Sequence, residues 1–201
     1  MKPVRFALLR HGVTTWNAEK RIQGRSDIPI TPETAQWYSQ RRLPTDWADV
    51  KWFSSPLLRT RETAKALGIA PVYLEESLIE MNWGEWEGQR LPELRASLGD
   101  AMRENEDRGW DFRPEGGESP RDVLARVTQF VAGSHPEIFG GVTHKGVIRA
   151  VYSAARGWNM MGKMPDRLDW HCLHVFRWSE NTGFRIEALN VPLIPKQEAA
   201  Q

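Results

Sequence analysis

Short apolar runs alternate along this chain with segments that carry helix start and stop signals. The pattern predicts strands at 4–9, 51–54, 72–74 and 140–144, and helices at 31–43, 57–67, 119–133 and 146–156. Alternation of this kind, with short connections, is typical of proteins in which helices cover both faces of a parallel sheet. We therefore predict an α/β fold, a three-layer α/β/α sandwich with a mostly parallel central sheet.

The second half of the chain adds two features to this plan. Residues 92–117 are rich in helix formers and charge, and they predict a helical insert that roofs the functional site. The strands predicted at 171–178 and 184–189 flank a turn and add an antiparallel edge to the sheet. No repeat or boundary divides the sequence, so we expect one domain over 1–201 with a frayed tail at about 195–201.

Composition argues against several classes of protein. The 201 residues have a formal net charge of +1, with 26% charged and 40% hydrophobic residues, unlike a disordered segment. This balance also argues against a nucleic-acid binder, because such binding depends on clustered Lys and Arg. Cys172 is the single cysteine, and the sequence contains no signal-peptide core or membrane-length apolar run. We expect a cytoplasmic protein without nucleic-acid or membrane partners, and its oligomeric state stays open.

Two of the predicted strands run directly into a histidine, His11 and His144. Arg10 ends the first strand, and Arg59 lies near the junction between the strand at 51–54 and the next helix. The carboxyl ends of parallel strands are where open α/β sheets bind ligands. Because guanidinium groups match phosphate oxygens, these four residues at one sheet edge predict a pocket for a phosphoryl group. Taken singly, each is better explained as a capping or surface residue, but four of them at corresponding strand ends favour the phosphoryl pocket.

Five segments match, in order, the motifs of a known family. They are 8–17 (LLRHGVTTWN), 23–31 (QGRSDIPIT), 54–64 (SSPLLRTRETA), Glu80 with 84–88 (GEWEG), and 143–146 (THKG). Together they make the chain resemble the histidine phosphatase superfamily, which also contains the cofactor-dependent phosphoglycerate mutases. Two positions depart from the family pattern. Val13 stands where many members have an acidic residue, and Lys145 stands where a glycine is frequent.

The resemblance implies a role for each charged residue of these motifs. His11 is expected to attack phosphorus and become a phosphohistidine, which water hydrolyses. Arg10 and Arg59 are expected to hold the phosphate and to keep the His11 imidazole unprotonated. His144 is expected to donate to the phosphate oxygens, and Glu80 to act first as general acid and then as general base.

Further motif residues are expected around the phosphate pocket: Thr14, Asn17, Gln23 and Gly24. Only its motif position distinguishes Glu80 from the neighbouring carboxylates Glu75, Glu76, Glu85 and Glu87. Three histidines match no motif and are expected to be surface or core residues: His135, His171 and His174.

Within the family, segment 84–88 resembles phosphatases, including the α-ribazole phosphatases, more than mutases, and the chain is shorter than a typical mutase. The resemblance thus implies a metal-independent, acid-type phosphatase that needs no cofactor, because arginine and histidine supply the positive charge. Its expected partner is a small phosphorylated metabolite, such as α-ribazole phosphate or a sugar phosphate. Two alternatives stay open: a cofactor-dependent phosphoglycerate mutase, and a non-catalytic protein that binds a phosphorylated metabolite.

Overall fold

The central sheet contains six of the eight strands in the computed structural model, which describes residues 3–133 and 136–196. The strands are β1 (Val4–Arg10), β2 (Arg41–Arg42), β3 (Lys51–Ser54), β4 (Val72–Leu74), β5 (Ile138–Thr143), β6 (Leu173–Ser179), β7 (Gly183–Val191) and β8 (Ile194–Pro195). The sheet order is β4-β3-β5-β1-β6-β7, and β2 pairs with β8 separately. Strands β4, β3, β5 and β1 are parallel, whereas the hairpin β6–β7 is antiparallel to them.

Helices connect most of these strands. They are α1 (Thr15–Ala18), α2 (Pro32–Ser39), α3 (Thr45–Ala48), α4 (Leu58–Leu67), α5 (Leu91–Leu98), α6 (Asp100–Glu106), α7 (Pro120–Ala132) and α8 (Lys145–Arg156). Short 3-10 helices cover Glu76–Leu78, Gly84–Trp86 and Gly109–Asp111. Among the residues that the structure describes, no helix combines the length and the apolar character needed to cross a bilayer.

Strand β1 shows how the two faces of the sheet are covered. Phe6 and Leu8 belong to the core that α7 and α8 form on one face. Ala7 and Leu9 belong to the core on the other face, with side chains of α2, α3 and α4. Successive side chains of a strand point to opposite faces, so an unbroken apolar run is buried on both sides. The predicted three-layer sandwich with a mostly parallel sheet is confirmed, and so is the antiparallel hairpin.

One helix was predicted too long. The expected helix at 31–43 ends at Ser39, because Arg41 and Arg42 form β2 and pair with β8. Pro195, placed in the predicted tail, therefore lies in β8, while residues 197–201 and His135 lie outside the described residues. The single-domain organisation over 1–201 stays a prediction.

The predicted insert at 92–117 contains two helices, α5 and α6. They are separated by Gly99, whose φ of +55° is a backbone conformation that residues other than glycine rarely adopt. Leu94 of α5 and Met102 of α6 are buried against Trp86. The insert is thereby anchored to segment 84–88, which follows Glu80 in the chain.

Candidate active site

The strand register brings three motifs together at one edge of the sheet. Strands β1, β3 and β5 are parallel neighbours, and Arg10 at the end of β1 pairs with Thr143 at the end of β5. The residues that directly follow the three strands are His11, Ser55 and His144. All three are buried, with at most 4% of their surface exposed. The two predicted histidines thus lie side by side, with ring centroids 5.1 Å apart.

One hydrogen bond determines which nitrogen of His11 is free. Its Nδ1 lies 2.7 Å from the carbonyl oxygen of Gly12. Because a carbonyl oxygen can only accept, Nδ1 carries the proton and Nε2 carries the lone pair. The Gly12 amide in turn donates to Thr63 Oγ1 at 2.9 Å, which holds this turn of the backbone in place.

The surroundings of His11 keep its imidazole neutral. Burial lowers the pKa of His11 well below its usual 6.5, and the charges of Arg10 and Arg59 lower it further. The ring therefore keeps its Nε2 lone pair at neutral pH. A neutral imidazole beside two cations has the lone pair and the surroundings that attack on an anionic group requires, and the role of His11 as nucleophile stays a prediction.

His144 is held by two partners within the protein. Arg59 Nε donates to its Nδ1 at 3.2 Å, and its Nε2 then donates to Ser55 Oγ at 2.8 Å. Burial lowers the pKa of His144, and the charge of Arg59 lowers it further. The structure thus places a neutral His144 beside His11, and donation from His144 to a phosphate oxygen stays a prediction.

Arg10 has a buried donor atom without a partner at this edge of the sheet. Its Nε is buried and has no hydrogen-bond partner among residues 3–133 and 136–196. The guanidinium lies 5.8 Å from the ring centre of Trp170, within the range of a cation–π contact. A buried charged donor without an acceptor is costly, so Arg10 is the group at this site that most needs an anionic partner, and its contact with phosphate stays a prediction.

Arg59 has a different role in the folded chain. It is fully buried, and it donates to the carbonyl oxygens of Ser26 and Gly24 at 2.7 Å each, in addition to His144. These contacts use three of the five guanidinium N–H groups. Arg59 therefore ties α4 to the loop of the second motif, and contact of its two other N–H groups with phosphate stays a prediction.

Glu87 organises this loop, a role that its motif position alone does not reveal. Its carboxylate accepts from the amides of Arg25 and Ser26 at 2.7 and 2.8 Å and from Ser26 Oγ at 2.6 Å. Gly24 has a φ of +52°, and a Cβ there would overlap the Glu87 carboxylate. Asp27 completes the loop by accepting the backbone amide at the start of α4.

Three further predicted residues bind one another. Thr14 is the N-cap of α1, and its Oγ1 lies 2.9 Å from Gln23 Oε1. Asn17 Oδ1 accepts the Thr14 amide at 3.1 Å, which completes a capping box. These contacts join the first two motif loops, while direct contact of Thr14, Asn17 and Gln23 with phosphate stays a prediction.

Glu80 lies among the cations of the site. It is 8% exposed and accepts the amide of Met81 at 2.8 Å and that of Gly146 at 3.2 Å. Its charge raises the pKa values of Arg10 and Arg59 against the lowering effect of burial. Two neighbouring carboxylates make other contacts. Glu75 caps its own turn, and Glu87 holds the loop of the second motif.

Two residues that the sequence did not single out hold the Glu80 segment. Arg126 of α7 donates to the carbonyl oxygens of Ser77 and Ile79 at 2.6 and 2.7 Å. Glu118 pairs with Arg126 at 3.3 Å and accepts the Asn82 amide at 2.9 Å. No motif or periodicity marks them, because their partners are backbone groups more than 30 residues away in the chain.

The remaining features of the site concern its charge. Lys145 is exposed at the start of α8, and its Nζ lies 5.4 Å from the ring centre of Trp170. The ranges 3–133 and 136–196 contain no group of three or more His, Cys, Asp or Glu side chains arranged to hold a metal ion. The positive charge at this edge of the sheet comes from arginine and lysine.

The comparison with known families agrees with this geometry. The model of the histidine phosphatase superfamily (branch 1) matches residues 6–192. The chain belongs to the histidine phosphatase superfamily. The resemblance stated from the five motifs is therefore confirmed.

The proteins to which this chain is similar are named for different activities. A 2,3-bisphosphoglycerate-dependent phosphoglycerate mutase of Methylobacterium radiotolerans is 33% identical over 147 residues, which cover 68% of this chain and 69% of that protein. The solved structure of a mycobacterial glucosyl-3-phosphoglycerate phosphatase has a TM-score of 0.68 and 25% identity, covering 94% of this chain and all of that one. The protein TTHB049 from Thermus thermophilus has a TM-score of 0.69 and 30% identity over 94% of this chain and 99% of that chain.

The two arginines are expected to respond differently to replacement by methionine. Arg10→Met should weaken binding of inorganic phosphate at least about tenfold and change the free energy of unfolding by less than about 1 kcal/mol, since no protein acceptor loses its donor. Arg59→Met should weaken binding similarly and also cost about 2–4 kcal/mol of stability, because the buried carbonyl group of Gly24 and the half-buried one of Ser26 lose their donor. Titration calorimetry and urea unfolding measure the two effects. Equal losses of stability in both variants would contradict the separate roles.

Proposed function

We propose that this protein is a phosphomonoester hydrolase that acts through a phosphohistidine on a small phosphorylated metabolite. The observation that carries the proposal is the hydrogen bond from His11 Nδ1 to Gly12 O, which leaves Nε2 unprotonated beside Arg10 and Arg59. A nucleophile, two cations and a buried carboxylate, Glu80, are the groups that transfer of a phosphoryl group to a histidine requires.

The reaction proceeds in two displacements at phosphorus. In the first, His11 Nε2 forms the N–P bond as the ester P–O bond breaks, and Glu80 gives its proton to the leaving oxygen. In the second, Glu80 takes a proton from water, the water oxygen forms a new P–O bond, and the N–P bond breaks. Phosphate leaves, His11 is again neutral, and Glu80 is again protonated. The arginines stabilise the charge on the phosphoryl oxygens through both steps.

Glu80 suits its double role because of where its carboxylate is held. The backbone amides of Met81 and Gly146 orient the two oxygens, and Arg126 holds the carbonyl groups of the segment that precedes it. Gly146 lies two residues after His144, so the amide that binds Glu80 belongs to the same helix start as the second histidine.

A second candidate function is that of a cofactor-dependent phosphoglycerate mutase, which the name of the Methylobacterium relative favours. It requires the same phosphohistidine but returns the phosphoryl group to a bound sugar acid instead of to water. Two points favour hydrolysis: segment 84–88 resembles phosphatases, and the mycobacterial phosphatase structure spans 94% of this chain. The expected metabolites are α-ribazole phosphate or a sugar phosphate.

The proposed function is tested by phosphate release from a panel of phosphomonoesters in EDTA. We expect turnover by the wild-type protein and a loss of at least about a thousandfold in His11→Ala, because the nucleophile is missing. His171→Ala, which removes an exposed ring outside the motifs, serves as the matched control and should retain full activity.

Other outcomes would overturn the proposal. Loss of wild-type activity in EDTA would point to a metal-dependent mechanism. Conversion of 3-phosphoglycerate to 2-phosphoglycerate with little phosphate release would favour the mutase, and tight phosphate binding without any turnover would favour a non-catalytic binder.

Gly146→Ala is expected to lower activity without lowering stability. A Cβ at this position would overlap Glu80 Oε1, so the carboxylate must turn away from the leaving oxygen. Alanine in a helix is otherwise favoured over glycine by about 0.5–1 kcal/mol. We expect kcat to fall at least about tenfold while the midpoint of urea unfolding stays the same or rises. Unchanged kcat would contradict the role given to Glu80.

A further inference from the structure

A cavity of about 460 Å³ lies beside the proposed phosphoryl site. Met81 and Gly146, whose amides bind Glu80, form part of its wall, so the cavity begins where a leaving group emerges. Residues of the insert and of the loop after α8 form the opposite side, including Leu91, Phe112 and Met160. The predicted insert therefore lines the space next to the site.

Arg149 is the cavity arginine whose charge lacks a partner within the described part of the chain. It lies one helical turn after Lys145 on α8, and its guanidinium makes no hydrogen bond or ion pair among the described residues 3–133 and 136–196. Two other arginines of this region are paired: Arg95 with Glu106 at 2.6 Å and Arg156 with Asp166 at 3.0 Å. Burial lowers the pKa of Arg149, while the charge of Glu80 raises it. Glu80 therefore offsets the positive charge of Arg149 only in part.

Several cations near Glu80 have no ion pair of their own within the described part of the chain. Arg10, Lys145 and Arg149 all feel the field of Glu80, and none of them forms an ion pair within the described part of the chain. A phosphoryl group at His11 lies with Arg10 and Arg59, which leaves the two cations of α8 free.

On the insert side of the cavity, Glu106 is paired and Asp107 is exposed. An additional negative charge therefore fits the wall formed by α8.

The cavity walls also limit the shape of the ligand. The guanidinium carbon of Arg149 lies 5.6 Å from the ring centre of Trp158, a cation–π contact that holds the guanidinium over an aromatic face. Trp83 and Phe112, with ring centroids 5.7 Å apart, line the cavity together with methionine side chains. Aromatic and thioether walls favour an apolar or planar body in the leaving group.

We propose that Arg149 is a specificity residue that binds a second anionic group, a carboxylate or a phosphate, carried on the leaving group of the substrate. The inference rests on the proposed function, since it assumes that the phosphoryl group lies at His11. It narrows the substrate class to phosphomonoesters with two anionic groups separated by an apolar or planar body.

Three aryl esters of similar size test this inference. Phenyl phosphate has no second charge, 4-carboxyphenyl phosphate has a carboxylate, and 1,4-phenylene bisphosphate has a second phosphate. We expect kcat/KM of the wild-type protein to be at least about tenfold higher for one of the two doubly anionic esters than for phenyl phosphate, mostly through KM. The doubly anionic ester with the higher kcat/KM shows whether the second anionic group is a carboxylate or a phosphate.

Variants of α8 assign that preference to Arg149. Arg149→Gln should remove the preference for the anionic ester, and Arg149→Lys should restore part of it. Arg156→Gln, on the same helix and outside the cavity, should keep the wild-type ratio. A wild-type protein without preference, or an unchanged ratio in Arg149→Gln, would overturn the inference.

A binding experiment separates this inference from the proposed function. If no protein releases phosphate, the hydrolase proposal fails, but titration calorimetry of the wild-type protein and Arg149→Gln with the same three esters still measures the preference. Tighter binding of a doubly anionic ester that disappears in Arg149→Gln supports the anion site. Equal affinities in both proteins would reject it.

Discussion

The hydrogen bond between His11 Nδ1 and the Gly12 carbonyl oxygen determines what the rest of the site can do. It fixes the tautomer, and with it the nitrogen that faces the ligand. The bond depends on the backbone turn after β1, which Thr63 of α4 holds through the Gly12 amide. Burial at the carboxyl end of a central strand keeps water from competing and keeps the ring neutral. The tautomer and the neutral state of His11 therefore depend on the strand ends and helices that surround it.

The two buried arginines beside His11 differ in how their charges are stabilised. Arg59 satisfies its guanidinium with backbone carbonyl groups, so its cost of burial is met within the protein and it ties the loop of Gly24 and Ser26 to α4. Arg10 keeps a buried donor without a partner among residues 3–133 and 136–196, and the proposed anionic ligand would offset the cost of burying it. The phosphate ligand proposed for this site would supply the acceptor that Arg10 Nε lacks among the described residues.

Much of this arrangement could be predicted from local patterns. His11 and His144 follow predicted strands, and parallel strands end at the same edge, so their meeting follows from the alternation of strands and helices. Glu87, Glu118 and Arg126 could not be assigned roles, because each binds backbone groups distant in sequence. The extent of α2 was wrong for a related reason, since β2 exists only through its pairing with β8. Arg149 gave no local signal either, because the absence of a partner is a property of the folded chain.

The position of phosphorus on His11 tests the tautomer assignment most directly. Protein with ¹⁵N-labelled histidine, quenched during turnover of an aryl phosphate, is examined by ³¹P–¹⁵N correlation NMR after digestion to the peptide that contains His11. A hydrogen bond from Nδ1–H to Gly12 O predicts phosphorus on Nε2 of His11. Phosphorus on Nδ1, or on His144, would contradict it.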